Sequence, residues 1–161
     1  MRSQQRHSTP MQIGGRTKPG KLSADYIVGL TDGEGSFTVY LRPPSKQNGS
    51  IHYRVVCRYY IKMREDELPL LQKVQTFWGC GKIYLQREYR VNQRNCFRFE
   101  IFDWENLHKK VIPFFRAHPL ESKRIRDFYL FCKIVDLVMC KAHHTQKGIT
   151  KLYDLKSQMH A

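Results

Sequence analysis

The stretch Ile27-Val-Gly-Leu-Thr-Asp-Gly-Glu-Gly35, running on into Ser36-Phe37, decides how the rest of the chain is read. Gly29 and Gly33 are four apart, so on a helix they share one face, where missing side chains let another backbone come close. Asp32 and Glu34 are two apart and on a continuing helix would point to nearly opposite sides. Gly33 and Gly35 let the chain leave the helix there, which predicts a helix over 23–32 with Glu34 projecting from its end. The period then changes from helix to strand. Over 36–42, Phe37, Val39 and Leu41 alternate with Ser36, Thr38, Tyr40 and Arg42.

Working outward, Pro43, Pro44, Asn48 and Gly49 mark a loop, and 52–63 alternates again. There Tyr53, Val55, Cys57, Tyr59 and Ile61 oppose His52, Arg54, Val56, Arg58, Tyr60 and Lys62. A second strand pair is expected over 82–90 and 94–102, turning around Asn92 and Asn95, with Phe97, Phe99 and Ile101 on one face and Arg98 and Glu100 on the other. Helices are expected over 66–77, from an Asp103 cap with Trp104, Leu107 and Val111 inward, over 121–141, and from Thr145 onward. In 121–141 the core positions are Ile125, Phe128, Cys132, Val135 and Met139; in the last helix they are Ile149, Leu152 and Leu155. The order is α-β-β-α-β-β-α plus C-terminal helices, an α+β fold in which helices cover one face of a four-stranded antiparallel sheet.

The other face carries an unusual charge. The 161 residues hold 28 Lys+Arg against 14 Asp+Glu, a net charge of +14. The first 23 residues contain Arg2, Arg6, Arg16, Lys18 and Lys21 and no acid, which leaves +9 for the remainder. With Pro10, Gly14, Gly15, Pro19 and Gly20 that stretch reads as a flexible basic tail over 1–21, ahead of a single domain over 22–161. No acid occurs from Gly35 to Arg64, and Glu88 is the one acid against five basic residues from Lys82 to Arg98. A solvated sheet face ordinarily mixes signs; a one-signed face over four strands suits a polyanion, and nucleic acid is the leading partner.

Apolar residues at 41% and aromatics at 12% exclude a disordered basic chain. No apolar run approaches the ~18–20 residues of a membrane span, and no secretory signal opens the sequence, so no membrane partner is expected. Cys57, Cys80, Cys96, Cys132 and Cys140 are odd in number and lack a Cys-x-x-Cys pair. They read as core thiols in an intracellular, reducing compartment, either bacterial cytoplasm or an organelle. His143 and His144 are adjacent and diverge by about 100° on a helix, a helix-end pair without a ligand role.

Residues 27–35 resemble the LAGLIDADG motif of homing endonucleases, with Asp-Gly-Glu-Gly-Ser-Phe in place of Asp-Ala-Asp/Glu-Gly-Ser-Phe. Leu68-Pro-Leu-Leu with Phe77-Trp-Gly-Cys-Gly-Lys-Ile-Tyr84 is similar to the family's helix-to-strand segment. Ile112-Pro-Phe-Phe, His118-Pro-Leu-Glu-Ser-Lys123 and His144-Thr-Gln-Lys-Gly-Ile149 resemble its C-terminal signatures, so the likeness runs from about residue 22 to 159.

The resemblance implies an αββαββα saddle whose sheet lies in the major groove of double-stranded DNA. It implies motif helices packed side by side, their last acids binding divalent metal at adjacent scissile phosphates. With one motif in the chain, it implies a homodimer with Asp25, Gly29, Asp32 and Gly33 at the interface and one Glu34 from each subunit. Glu34 is then the catalytic metal ligand for Mg²⁺, or another divalent cation such as Mn²⁺. Asp32 is second choice and the Gly33 carbonyl a further contact. The implied activity is site-specific double-strand cleavage leaving staggered 3′-overhang ends. The alternative on the same fold is a non-catalytic nucleic-acid binder, either an intron RNA maturase or a DNA-binding regulator.

The expected DNA-contacting set is Thr38, Tyr40, Arg42, Arg54, Arg58, Tyr60, Lys62, Lys82, Tyr84, Gln86 and Arg98. Arg reads guanine edges and Gln reads adenine; Arg54 and Arg58 are singled out for base edges as mid-strand residues. Two positions depart from the family pattern. Met63 stands where relatives place Gln or another polar residue, leaving Lys62 or Arg64 as the polar neighbours. Asp103-Trp104 follow the fourth strand where relatives place a Lys.

Overall fold

A computed structural model describes residues 20–90 and 92–160. Most of the expected tail over 1–21 therefore lies outside the described residues. Helix α1 (Ala24–Glu34) leads directly into β1 (Gly35–Arg42), followed by β2 (Arg54–Arg64), α2 (Leu68–Trp78), β3 (Lys82–Gln86) and β4 (Cys96–Ile101). Helices α3 (Trp104–Asn106), α4 (Ile112–Ala117), α5 (Arg124–Met139) and α6 (Gln146–Ser157) complete the chain. All strand pairs are antiparallel, and the sheet order is β1-β2-β4-β3.

The alternation read from the sequence fixes the faces. Phe37 and Val39 of β1, Cys57, Tyr59 and Ile61 of β2, and Phe99 and Ile101 of β4 are buried under the helices. Phe37 is their hub, with ring centroids 5.4 Å from Tyr59, 5.6 Å from Phe115, and 5.3 Å from both Phe128 and Phe131. Rings at these spacings pair offset-stacked or edge to face, and Phe37 stacks on Tyr59 while meeting Phe115 edge-on. Helix α5 packs on β1 and β2, α2 on β2, β3 and β4, and α6 on α5.

Element ends follow local chemistry. Ser23 caps α1 by accepting from the Tyr26 amide, Asp103 caps α3 through Asn106, and Thr145 caps α6 through Gly148. Helix α2 ends at Gly79, whose φ of 61° lies in the left-handed region that closes helices. It begins later than expected because Glu65–Glu67 form a 3₁₀ turn ahead of Pro69. Between α3 and α4, Leu107–Val111 widen into a π turn. Pro113 lacks an amide and crowds the carbonyl four residues back, and widening relieves that clash.

Two expectations on packing are corrected. Met139 is 48% exposed, because α5 ends there and the chain turns through Lys141 in the left-handed region. Cys140 is exposed for the same reason, although Cys57 and Cys132 are buried. Burial pushes the Cys57 thiol well up and raises that of Cys132 to about 11, so both stay protonated.

Candidate active site and nucleic-acid interface

Helix α1 is fastened by one face and open on the other. Ile27 and Thr31, one turn apart, are fully buried against the sheet. The Thr31 hydroxyl lies 2.8 Å from the Tyr59 hydroxyl of β2, a buried pair that sequence reading gave no reason to join. Gly29 and Gly33 point elsewhere: a β-carbon built on either meets nothing within 4 Å. The missing side chains thus leave a bare, exposed strip along α1.

The helix does not break where the glycines suggested. It continues through Gly33 to Glu34, and Gly35 opens β1 with φ −81° and ψ 162°, ordinary extended backbone. Gly35 is needed for space: an added β-carbon would sit 2.6 Å from Thr31 Cγ2 and 2.8 Å from the Thr31 Cα and carbonyl oxygen. Helix and strand meet there with no room for a methyl group.

Glu34, the last helical residue, is exposed and lines a cleft of about 440 Å³ with Lys62, Met63, Arg64, Asp66, Glu67 and Cys96. A carboxylate at the negative end of a helix dipole is placed unfavourably unless a cation joins it. Lys62 and Arg64 both reach the cleft; Met63 also packs against the core.

Asp32 has a different task. Its carboxylate accepts from the Glu121 amide at 2.9 Å and the Ser122 amide at 3.1 Å, just ahead of α5. Partial burial pushes this carboxyl up, but the hydrogen bonds from Ser122 and Glu121 and the Arg124 charge outweigh it, so its pKa lies below the ordinary value. Arg124 closes the junction: Nε donates to the Asp32 carbonyl at 2.9 Å and Nη2 to the Gly33 carbonyl at 3.1 Å. The carboxylate considered as second metal ligand is thus committed to the backbone, and the Gly33 carbonyl already accepts one hydrogen bond. Asp25 lies in the first turn of α1, at the end opposite Glu34.

The sought basic residue after β4 is absent, since Asp103 is a helix cap. Instead Arg124, at the start of α5, brings a basic residue to the motif's end, where it binds the Asp32 and Gly33 carbonyls. No local pattern could have revealed this contact across about ninety residues.

Strand register places all eleven expected DNA-contacting residues on the open face. Thr38 pairs with Arg58, Arg42 with Arg54, Lys62 with Arg98, and Arg98 with Tyr84. Arg54 begins β2 instead of lying mid-strand. Arg58 is central but restrained: its guanidinium lies 5.5 Å from the Tyr40 ring centroid and 3.8 Å from Glu100.

Comparison with known proteins settles the family. Residues 27–135 match the family described as LAGLIDADG endonuclease. The chain belongs to the LAGLIDADG endonuclease family. It is 29% identical to probable intron-encoded endonuclease 3 of Neurospora crassa over 131 residues, 81% of this chain and 23% of that protein. The chain thus spans about a quarter of that relative's length. Among solved structures it resembles the homing endonuclease I-TnaI, with a TM-score of 0.75 at 29% identity, covering 88% of this chain and 90% of that one. It also resembles the LAGLIDADG homing endonuclease I-SmaMI bound to cleaved DNA, with a TM-score of 0.74 at 33% identity, covering 86% of this chain and 44% of that one.

For a LAGLIDADG unit, the metal question turns on the donors present. Among the described residues, no group of three or more His, Cys, Asp or Glu side chains could hold a metal, His143 and His144 included. Glu34 offers one free carboxylate, and Mg²⁺ accepts as few as one or two alongside phosphate and water. One exposed carboxylate fits a hard divalent cation whose remaining positions are filled by donors from outside the chain.

Proposed function

We propose that this chain is one half of a site-specific, divalent-metal-dependent DNA endonuclease that acts as a homodimer and cuts both strands to leave staggered 3′-overhang ends. The observation that carries the reading is Glu34, an exposed carboxylate at the end of α1 beside a basic sheet face. The bare Gly29–Gly33 strip supports pairing with a second α1, which would bring a second Glu34 alongside the first. The 44% coverage of I-SmaMI, against 90% of I-TnaI, agrees with a unit that works in twos.

Each residue has a part in the reaction. The open face neutralises phosphates and sets the duplex in register, with Arg42, Arg54 and Lys82 as exposed charges. Asp32 and Arg124 hold the end of α1 against α5, so that Glu34 is fixed relative to the sheet. Glu34 would hold the divalent cation, Mg²⁺ or Mn²⁺, through its exposed carboxylate. When bound, that cation supplies an activated water and charge stabilisation for the leaving oxygen. Lys62 and Arg64 offer positive charge in the same cleft.

The test is cleavage of a library of long duplex DNA with Mg²⁺ by the wild type and by Glu34→Gln. Discrete cutting by the wild type, lost in the variant while DNA binding persists, is the expected result. A wild type that never cuts, or a variant that cuts equally well, overturns the reading.

A further inference from the structure

The open sheet face contains one acid where none is expected to help. Glu100 of β4 lies on the DNA side, opposite Tyr60 of β2 and Lys82 of β3, yet it is only 5% exposed. Two arginines cover it. Glu100 Oε2 is 3.4 Å from Arg98 Nε and 3.8 Å from Arg58 Nη1. Each guanidinium also lies against an aromatic ring, Arg58 at 5.5 Å from the Tyr40 centroid and Arg98 at 5.3 Å from that of Tyr60. Glu100 Oε2 and the Nε atoms of both arginines are buried with no hydrogen-bond partner, so the attachment is ionic, while the arginine side chains remain 26% and 29% exposed. The accessible area therefore belongs to the other atoms of each side chain.

An exposed carboxylate here would repel phosphate. Sunk between two guanidiniums, it cancels part of their mutual repulsion and limits the rotamers each can adopt. A free Arg loses much rotamer freedom when it docks on a base edge, and one already held loses less. Buried ion pairs gain little for stability over apolar replacements, so their attested use is to fix geometry. We propose that Glu100 is a positioning residue for sequence readout: it holds Arg58 and Arg98, between Tyr40 and Tyr60, in the orientation that reads guanine edges in the major groove. This rests on the DNA-binding reading given above.

The sign of the effect separates this role from a plain structural one. Glu100→Gln is nearly isosteric and removes a negative charge from the face. Non-specific affinity should hold or rise, while sequence preference should fall. The experiment enriches a randomised duplex DNA pool on the full chain without metal. It then compares affinities for the selected duplex and a scrambled one, alongside thermal midpoints. The expected result for Glu100→Gln is a selected-to-scrambled ratio lower by about tenfold, the scale of one bidentate base contact, with the loss confined to neighbouring G·C positions. Arg58→Ala and Arg98→Ala should each relax a subset of those positions, which keeps the test open if the Gln variant folds poorly. A folded Glu100→Gln with an unchanged ratio, or arginine variants with unchanged preference, overturns this inference alone. A wild type that enriches no sequence removes the DNA-reading assignment and this inference with it.

Discussion

Arg124 Nε donates to the carbonyl oxygen of Asp32 at 2.9 Å, across 92 positions of chain, and so ties the first turn of α5 to the last turn of α1. Its Nη2 holds the next carbonyl, Gly33, at 3.1 Å. These carbonyls have no partner within α1 itself, and a cation there also opposes the negative end of the helix dipole. The same last turn carries Glu34, so the proposed metal ligand and the domain packing share one joint. Arg124→Ala should cost about 1–3 kcal/mol of stability, read as a lowered thermal midpoint. Cleavage should fall further than the unfolded fraction explains. Arg124→Lys keeps the charge without the two-pronged fork and should recover stability in part.

The helix-to-strand junction is tested at its tightest point. In Gly35→Ala the new methyl would press on the Thr31 backbone as well as its side chain, so a rotamer change cannot relieve it. The expected cost is about 1–3 kcal/mol, with disturbance of the buried Thr31–Tyr59 hydrogen bond. Gly33→Ala is the contrast. With open space around it in a helix, it should stabilise the isolated chain by roughly 0.5–1 kcal/mol. Chemical denaturation of both variants at low protein concentration reads the difference; equal effects would refute the steric account.

Much of this was legible in the sequence because period and sign are local properties. The alternation in 36–42 and 52–63 assigned each side chain to its face, and the acid-free run from Gly35 to Arg64 marked the open one. What escaped depends on residues distant in sequence. Nothing near Asp32 announces that its carboxylate is taken by the amides of Glu121 and Ser122. Alternation placed Glu100 on the basic face but could not report its burial, which comes from arginine side chains of two strands folding over it. Gly35 was read for backbone freedom, whereas its role is close approach.

Asp32 predicts a pH dependence. Its carboxyl has a lowered pKa in the folded chain, so it contributes stability that is complete above the unfolded value and lost as pH falls through the folded one. Asp32→Asn replaces one acceptor with a donor facing an amide and should destabilise by about 1–2 kcal/mol at neutral pH. Thermal melts at descending pH should show the two proteins converging below about pH 4, where the unfolded Asp protonates. A gap that persists undiminished into strong acid would mean that charge on Asp32 is not what holds the joint.

The bare strip on α1 gives the sharpest test of assembly. If Gly29 of one copy lies against α1 of another, Gly29→Leu places a bulky side chain where backbones must meet. A two-fold axis counts the insult twice. At about 1–3 kcal/mol per overpacked site, the dimer should lose about 2–6 kcal/mol, enough to leave monomer at micromolar concentration. Within one chain an added β-carbon at Gly29 meets nothing within 4 Å and the position is exposed, so the thermal midpoint of the monomer should hold. Sedimentation velocity distinguishes the cases: wild type as dimer and variant as folded monomer is expected. Loss of cleavage should accompany dissociation, because each monomer retains only one Glu34. A variant that remains dimeric would place the interface away from Gly29 and withdraw the glycine strip as its cause.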